Sequence, residues 1–240
     1  DDYFNTAVST LNPHNMGYGF YVYGTLPLFL VRWAAEALHQ TGYDEIFLVG
    51  RVLSGFADLL TVLLVYLTAL RLFRRQRLAL VAAAFMAFSV LPIQLSHYFT
   101  VDNFANLFTL LAIHFAVRVF TDDLPVVRDD EETHAFQWRD LILHWNSSVP
   151  YMLFGAGLGL ALASKVSIAP LAALLPLAAV VYFFRLTPQQ QGKFALVLMR
   201  NLVLGAIVSF IVFRIFQPYA FTGPGFFGIG QFAAQNKING

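Results

Sequence analysis

Cysteine is absent from the 240 residues, which removes disulfides, thiolate metal sites and cysteine nucleophiles together. Charge is scarce as well: Asp, Glu, Lys and Arg make up 12% of the chain, where soluble domains carry about 25%. Fourteen acids and fifteen bases leave a net charge of +1, and no basic run is interleaved with aromatics, so a nucleic-acid partner is excluded. The remainder is apolar, with 58% hydrophobic residues and a mean hydropathy of +0.63. Apolar stretches of about 20 residues, long enough to cross about 30 Å of hydrocarbon, recur along the chain. A signal peptide would supply one short apolar region, so these are membrane spans. The fold class expected is all-α, a polytopic transmembrane helical bundle.

Six spans are expected, over residues 46–73, 78–97, 101–119, 151–163, 168–184 and 194–216. The first ends in Arg71, Arg74, Arg75 and Arg77, which the positive-inside rule assigns to the cytoplasm. The alternation then sends Arg118, Arg128, Arg139, Arg185, Lys193 and Arg200 to the same side, against Arg32, Arg51, Lys165, Arg214 and Lys237 elsewhere. The domain plan is an extracytoplasmic segment with an interfacial helix (1–43), three transmembrane helices (44–120), a cytoplasmic acidic loop (121–147), three more helices (148–221) and an extracytoplasmic Gly-rich loop (222–240). Residues 20–38 are long enough to cross, but Gly24 and Pro27 interrupt them and Arg32, Glu36 and His39 load the second half. An interfacial or re-entrant helix is expected there. The chain opens on Asp1-Asp2 without methionine, as a piece of a longer protein would.

A charge near a helix centre costs about 2.5–3.5 kcal/mol on insertion scales, so each one kept there needs a partner or a purpose. Arg51, Asp102, Lys165 and Arg214 all fall toward the outer ends of four different spans, and they are expected to converge on one outward-facing site. Three cations with one carboxylate suit a phosphate headgroup, through charge-assisted hydrogen bonds. Lys165, Arg51 and Arg214 are therefore candidate lipid-phosphate ligands and Asp102 the candidate catalytic carboxylate. Arg51 pairing with Asp58, and Arg214 and Lys165 snorkelling to the interface, are the structural alternatives. Asp102 also suits the dipole of a helix start, and His97 can orient it or meet a substrate hydroxyl. His114 reads as a satisfied core histidine or a tetrapyrrole ligand, and Asp44-Glu45 as partners of a helix start. Asn146-Ser147-Ser148 matches a glycosylation acceptor but falls on the inner side.

Several strings resemble the polyprenyl-phosphate-dependent glycosyltransferases of the GT-C superfamily, which includes protein O-mannosyltransferases and lipid A aminoarabinose transferases. They are Leu11-Asn12-Pro13-His14, Tyr21-Val22-Tyr23-Gly24-Thr25-Leu26-Pro27-Leu28, Val49-Gly50-Arg51-Val52-Leu53-Ser54, Leu95 to Asp102, Gly157 to Lys165, and Gln217-Pro218-Tyr219-Ala220-Phe221. The resemblance implies a GT-C-like fold and transfer of a sugar from a polyprenyl or dolichyl phosphate to an acceptor hydroxyl on the outer side, in a bacterial inner or plasma membrane. It implies a polyprenyl-phosphate-linked sugar and membrane lipids as partners. By position, Asp102 resembles the family's second outer-face acid and Lys165 its carrier-phosphate contact. The family's H-P-D-E string does not occur here; it lies upstream of Asp1 or has been lost. No cofactor is required by these residues, although a divalent metal is compatible with them.

Two other functions compete. A non-catalytic subunit derived from such a transferase would keep the groove for lipid, glycolipid or pigment inside a larger membrane complex, for example an energy-transducing one. A secondary transporter is disfavoured, because charges at one membrane face do not make a midplane site.

Overall fold

The structure is a computed structural model, and it describes residues 3–18, 23–122 and 145–221. The acidic loop, apart from its ends, and the Gly-rich loop 222–240 lie outside the described residues, as do Tyr21 and Val22. Eight α-helices run through the rest: α1 (Leu26–Ala37), α2 (Tyr43–Phe73), α3 (Gln76–Ala87), α4 (Val90–Ser96), α5 (Val101–Thr121), α6 (Val149–Ser164), α7 (Leu174–Arg185) and α8 (Pro188–Phe216). Five helical stretches are long and apolar enough to cross a membrane, and a sixth arises if the bent pair α3 and α4 counts as one span.

α1 has 12 residues, about 18 Å, and is too short to cross about 30 Å of hydrocarbon. It buries Leu26, Pro27, Val31 and Ala35, while Arg32 and Glu36 form an exposed ion pair of 2.7 Å along its outer face. α2, at 31 residues, measures about 46 Å and extends past the hydrocarbon. Glu45 accepts the Gly42 N–H at 2.9 Å, so the Asp44-Glu45 pair serves the helix start.

Prolines decide where the later spans break. The expected span 78–97 is not one straight helix, since α3 and α4 meet at 56°. Pro92 cannot donate to the Phe88 carbonyl four residues back, and the break falls at Phe88 and Ser89. Likewise the expected helix 168–184 starts as a 3-10 stretch, Val166–Ala173, which contains Pro170. Pro170 and Pro176 cannot donate to Val166 and Ala172, so an α-helical ladder forms only from Leu174 onward. The short inner loop expected at 187–193 is instead the first turn of α8. Thr187 and Gln190 cap it reciprocally, with Gln190 Oε1 accepting the Thr187 N–H at 2.9 Å.

α6 lies at the centre, between α5 and α8, with α7 closing against both flanks. Its Gly155 is packed so closely on α8 that a Cβ there would stand 2.1 Å from the Gly205 carbonyl oxygen. With Gly159 one turn on, this is the small-xxx-small contact by which membrane helices gain dispersion energy without a hydrophobic effect. Ala112 and Ala116 of α5, Phe154 and Leu158 of α6 and Ala178 and Ala179 of α7 fill the interior. Leu59, Phe85, Phe88, Phe184 and Val203 stand exposed on the outside, where hydrocarbon would cover them.

The alternation brings one set of helix termini to each end of the bundle. At one end lie the start of α2, the ends of α4, α6 and α8, the start of α5, and the N-terminal segment; at the other lie Arg71, Arg118, Asp122, Arg185 and Arg200.

Candidate functional site

The helix break after Ser164 creates the most distinctive polar position. Lys165 is extended, at φ −155° and ψ 108°, and its N–H still bonds the Ala161 carbonyl at 2.8 Å. The Ser164 carbonyl, which has no helical successor to accept from, takes the Gly24 N–H at 2.9 Å. Backbone meets backbone there: a Cβ on Gly24 would stand 1.7 Å from the Ala163 carbonyl oxygen. Next in sequence, the buried Thr25 gives its N–H and its hydroxyl to Gln217 Oε1, at 2.6 and 2.7 Å. Gln217 is also fully buried, and its Nε2 has no hydrogen-bond partner among the described residues. The segment before α1 is thereby stapled to the ends of α6 and α8.

From this break the Lys165 ammonium reaches the first turn of α5 and meets Asp102 Oδ1 at 2.8 Å. Both side chains keep contact with solvent, 40% exposed for Lys165 and 36% for Asp102. Asp102 is the second residue of α5, so the positive end of the helix dipole also stabilises its carboxylate. Its neighbour Asn103 is buried and donates to Ser54 Oγ of α2 at 3.0 Å, while Ser54 Oγ donates to the Leu95 carbonyl of α4 at 3.3 Å. The first turn of α5 is thereby held to α2 and, through Ser54, to α4, and the 3-10 break presents the partner cation.

The other sequence candidates divide. Arg51 lies one turn before Ser54 on α2, half-buried, with its guanidinium over the Phe47 ring at 5.6 Å. It makes no ion pair with Asp58 among the described residues. Arg214 has no exposed surface; it donates to the Pro218 carbonyl at 2.6 Å and its guanidinium lies between the Phe4 and Phe221 rings, at 5.4 and 5.2 Å. It is buried among the N-terminal segment and the end of α8, and the described geometry does not bring it to the Asp102–Lys165 pair. His97 does not orient Asp102: its Nδ1 donates to the Ile93 carbonyl of its own helix at 2.7 Å, and the ring is exposed. His114 is satisfied by the Thr68 hydroxyl at 3.1 Å. Among the described residues no three His, Asp or Glu side chains gather as metal ligands.

Sequence reasoning missed the N-terminal cap of this end. Tyr3 donates to the Ile215 carbonyl at 2.7 Å, the Thr6 hydroxyl to the Phe221 carbonyl, and the hydroxyls of Ser9 and Tyr219 lie 3.1 Å apart. Burial pushes the phenols of Tyr3 and Tyr219 upward; for Tyr3 the Tyr219 phenol adds to this and the Arg214 guanidinium opposes it, while for Tyr219 the Ser9 hydroxyl opposes it. The strings Gly24-Thr25 and Gln217-Pro218 carried the signal, yet only packing shows that they touch.

A bundle of apolar helices long enough to cross a membrane, with an ion pair between two span ends and a polar strap across them, is an integral membrane protein. The family model for dolichyl-phosphate-mannose-protein mannosyltransferase matches residues 17–220, and the chain belongs to that family of membrane glycosyltransferases. No curated protein and no solved structure matches it. Apart from Leu11 to His14 and Phe221, the strings that carry the resemblance lie inside the matched residues, and the recognition drawn from them is borne out.

Proposed function

We propose that the protein transfers a sugar from a polyprenyl-type phosphate to an acceptor hydroxyl, at the end of the bundle that holds Asp102 and Lys165, and that this end faces away from the cytoplasm. The observation that carries the reading is the ion pair of 2.8 Å between residues 63 apart in sequence, partly open to solvent at the mouth of a helix break. Family membership supports the reaction class. The arginines gathered at the opposite end support the orientation, by the positive-inside rule.

In the resting pair Lys165 neutralises Asp102. The incoming lipid-linked sugar is a phosphodiester of single negative charge that shares the ammonium with Asp102, and its hold on Lys165 grows as cleavage turns it into the more highly charged monoester. Lys165 then stabilises the charge that grows on the departing lipid phosphate as the C1–O bond of the sugar breaks. The released Asp102 carboxylate is placed to take the proton of the acceptor hydroxyl as its oxygen bonds to C1. Arg51 adds a second cation on the α2 side.

The test is transfer from dolichyl phosphate mannose to a Ser/Thr peptide by the reconstituted chain, with dolichyl phosphate binding measured in parallel. Lys165→Ala should weaken dolichyl phosphate binding, and Asp102→Asn should abolish transfer while sparing binding. Full transfer in D102N would remove Asp102 as the base. Binding without transfer in the unmodified chain would instead support the non-catalytic subunit.

A further inference from the structure

The opposite end of the bundle carries a second polar site that the transfer reaction does not use. A cavity of 510 Å³ opens in the seam between α2 and α5, lined by Arg71, Arg74, His114 and Arg118 with Leu67 and Leu70 as its apolar wall. Arg71 donates to Asp122 at 2.6 Å and to the Thr121 hydroxyl at 2.9 Å. The Arg118 guanidinium lies over the Phe115 ring at 5.7 Å, yet its Nε is buried and has no hydrogen-bond partner among the described residues. A buried donor left unmade costs far more than a made one returns, so this atom points to an acceptor that binds there.

Arg74 supplies an independent sign. It occupies the left-handed position that ends α2, with φ 52° and its N–H on the Leu70 carbonyl at 2.8 Å. Glycine is the residue best suited to that conformation, and Arg74 instead brings a third guanidinium to the mouth of the cavity. From the cavity, Leu67 and Leu63 continue down the same face of α2, 37% and 49% exposed, as a track for a hydrocarbon chain.

We infer that this seam binds the phosphate-bearing headgroup of an anionic phospholipid, with one acyl chain laid along Leu67 and Leu63. Three guanidiniums around one cavity match a phosphate by chemistry, the apolar wall and track favour a lipid over a soluble anion, and basic pockets between spans are where such headgroups bind.

The experiment is native mass spectrometry of the full chain with phosphatidylglycerol against phosphatidylcholine, beside thermal unfolding in each lipid. Phosphatidylglycerol should be retained preferentially, and Arg74→Gly should weaken it about fivefold. R74G should leave the melting temperature in detergent equal or higher, because glycine relieves the left-handed strain. Arg118→Gln should lower the retention similarly. Equal retention of both lipids, or unchanged phosphatidylglycerol binding in both variants, overturns the inference. Inorganic phosphate that stabilises the protein as well as phosphatidylglycerol does would assign the site to a soluble anion instead. Preference for phosphatidylglycerol that appears only when Asp129, Asp130, Glu131 and Glu132 are neutralised would assign it to the chain's own acidic segment.

Discussion

Exchanging the charges of the Asp102–Lys165 pair separates structure from chemistry. At 2.8 Å and an effective dielectric of about 20 the raw attraction would be about 6 kcal/mol. With more than a third of each side chain exposed, solvent screening and side-chain entropy reduce the net contribution to about 1 kcal/mol or less. Lys165→Ala alone should therefore lower the melting temperature by about 2–4 °C at most. The double variant D102K/K165D restores an ion pair across the same gap and should recover most of that loss. It should not recover transfer, because the cation would then stand on α5 and the carboxylate at the helix break, each in the other's role. Loss of a positioned base alone is worth about 10²- to 10⁴-fold in rate, well beyond what 1 kcal/mol of stability can cause. The assays are thermal unfolding in detergent and sugar transfer from dolichyl phosphate mannose in liposomes. Full transfer in the exchanged variant would refute the catalytic reading and leave a pair that only packs.

Gly24→Ala should destabilise the protein by about 3 kcal/mol or more, because the new methyl would meet the Ala163 carbonyl at 1.7 Å and break the Gly24 and Thr25 staples; an unchanged melting temperature would contradict the close approach. Gly155→Leu should separate α6 from α8, where even a Cβ would stand 2.1 Å from Gly205, and is checked by limited proteolysis and the loss of a cooperative thermal transition. Arg214→Met should cost about 1–3 kcal/mol as a fold defect whether or not carrier lipid is present, since the buried Pro218 carbonyl would lose its donor; a stable variant with reduced lipid affinity would return Arg214 to the phosphate site. Tyr3 and Tyr219 hold their protons to higher pH when folded than when unfolded, so their contribution is complete below about pH 10 and is lost as pH rises above it. Tyr3→Phe and Tyr219→Phe should flatten that alkaline fall in thermal stability.

Membrane residence was readable from apolar length, because about 30 Å of hydrocarbon sets one requirement that composition meets or fails. Family membership was readable too, since it rests on short strings in a given order. So was the restriction of Arg51, Asp102, Lys165 and Arg214 to one end, because alternating spans send every second terminus to the same face. Sequence periodicity could not show where helices break, because that depends on a proline and on the carbonyl four residues before it, as at Pro92 and Phe88. Nor could it show which charges meet. From the sequence any of the three cations could have been the partner of Asp102. Packing paired Lys165 with Asp102, put Arg51 over a ring of its own helix, and enclosed Arg214 between Phe4 and Phe221. The physical reason is reach: an ion pair needs about 3 Å, and which side chains come that close is decided by glycine-scale contacts between helices distant in sequence.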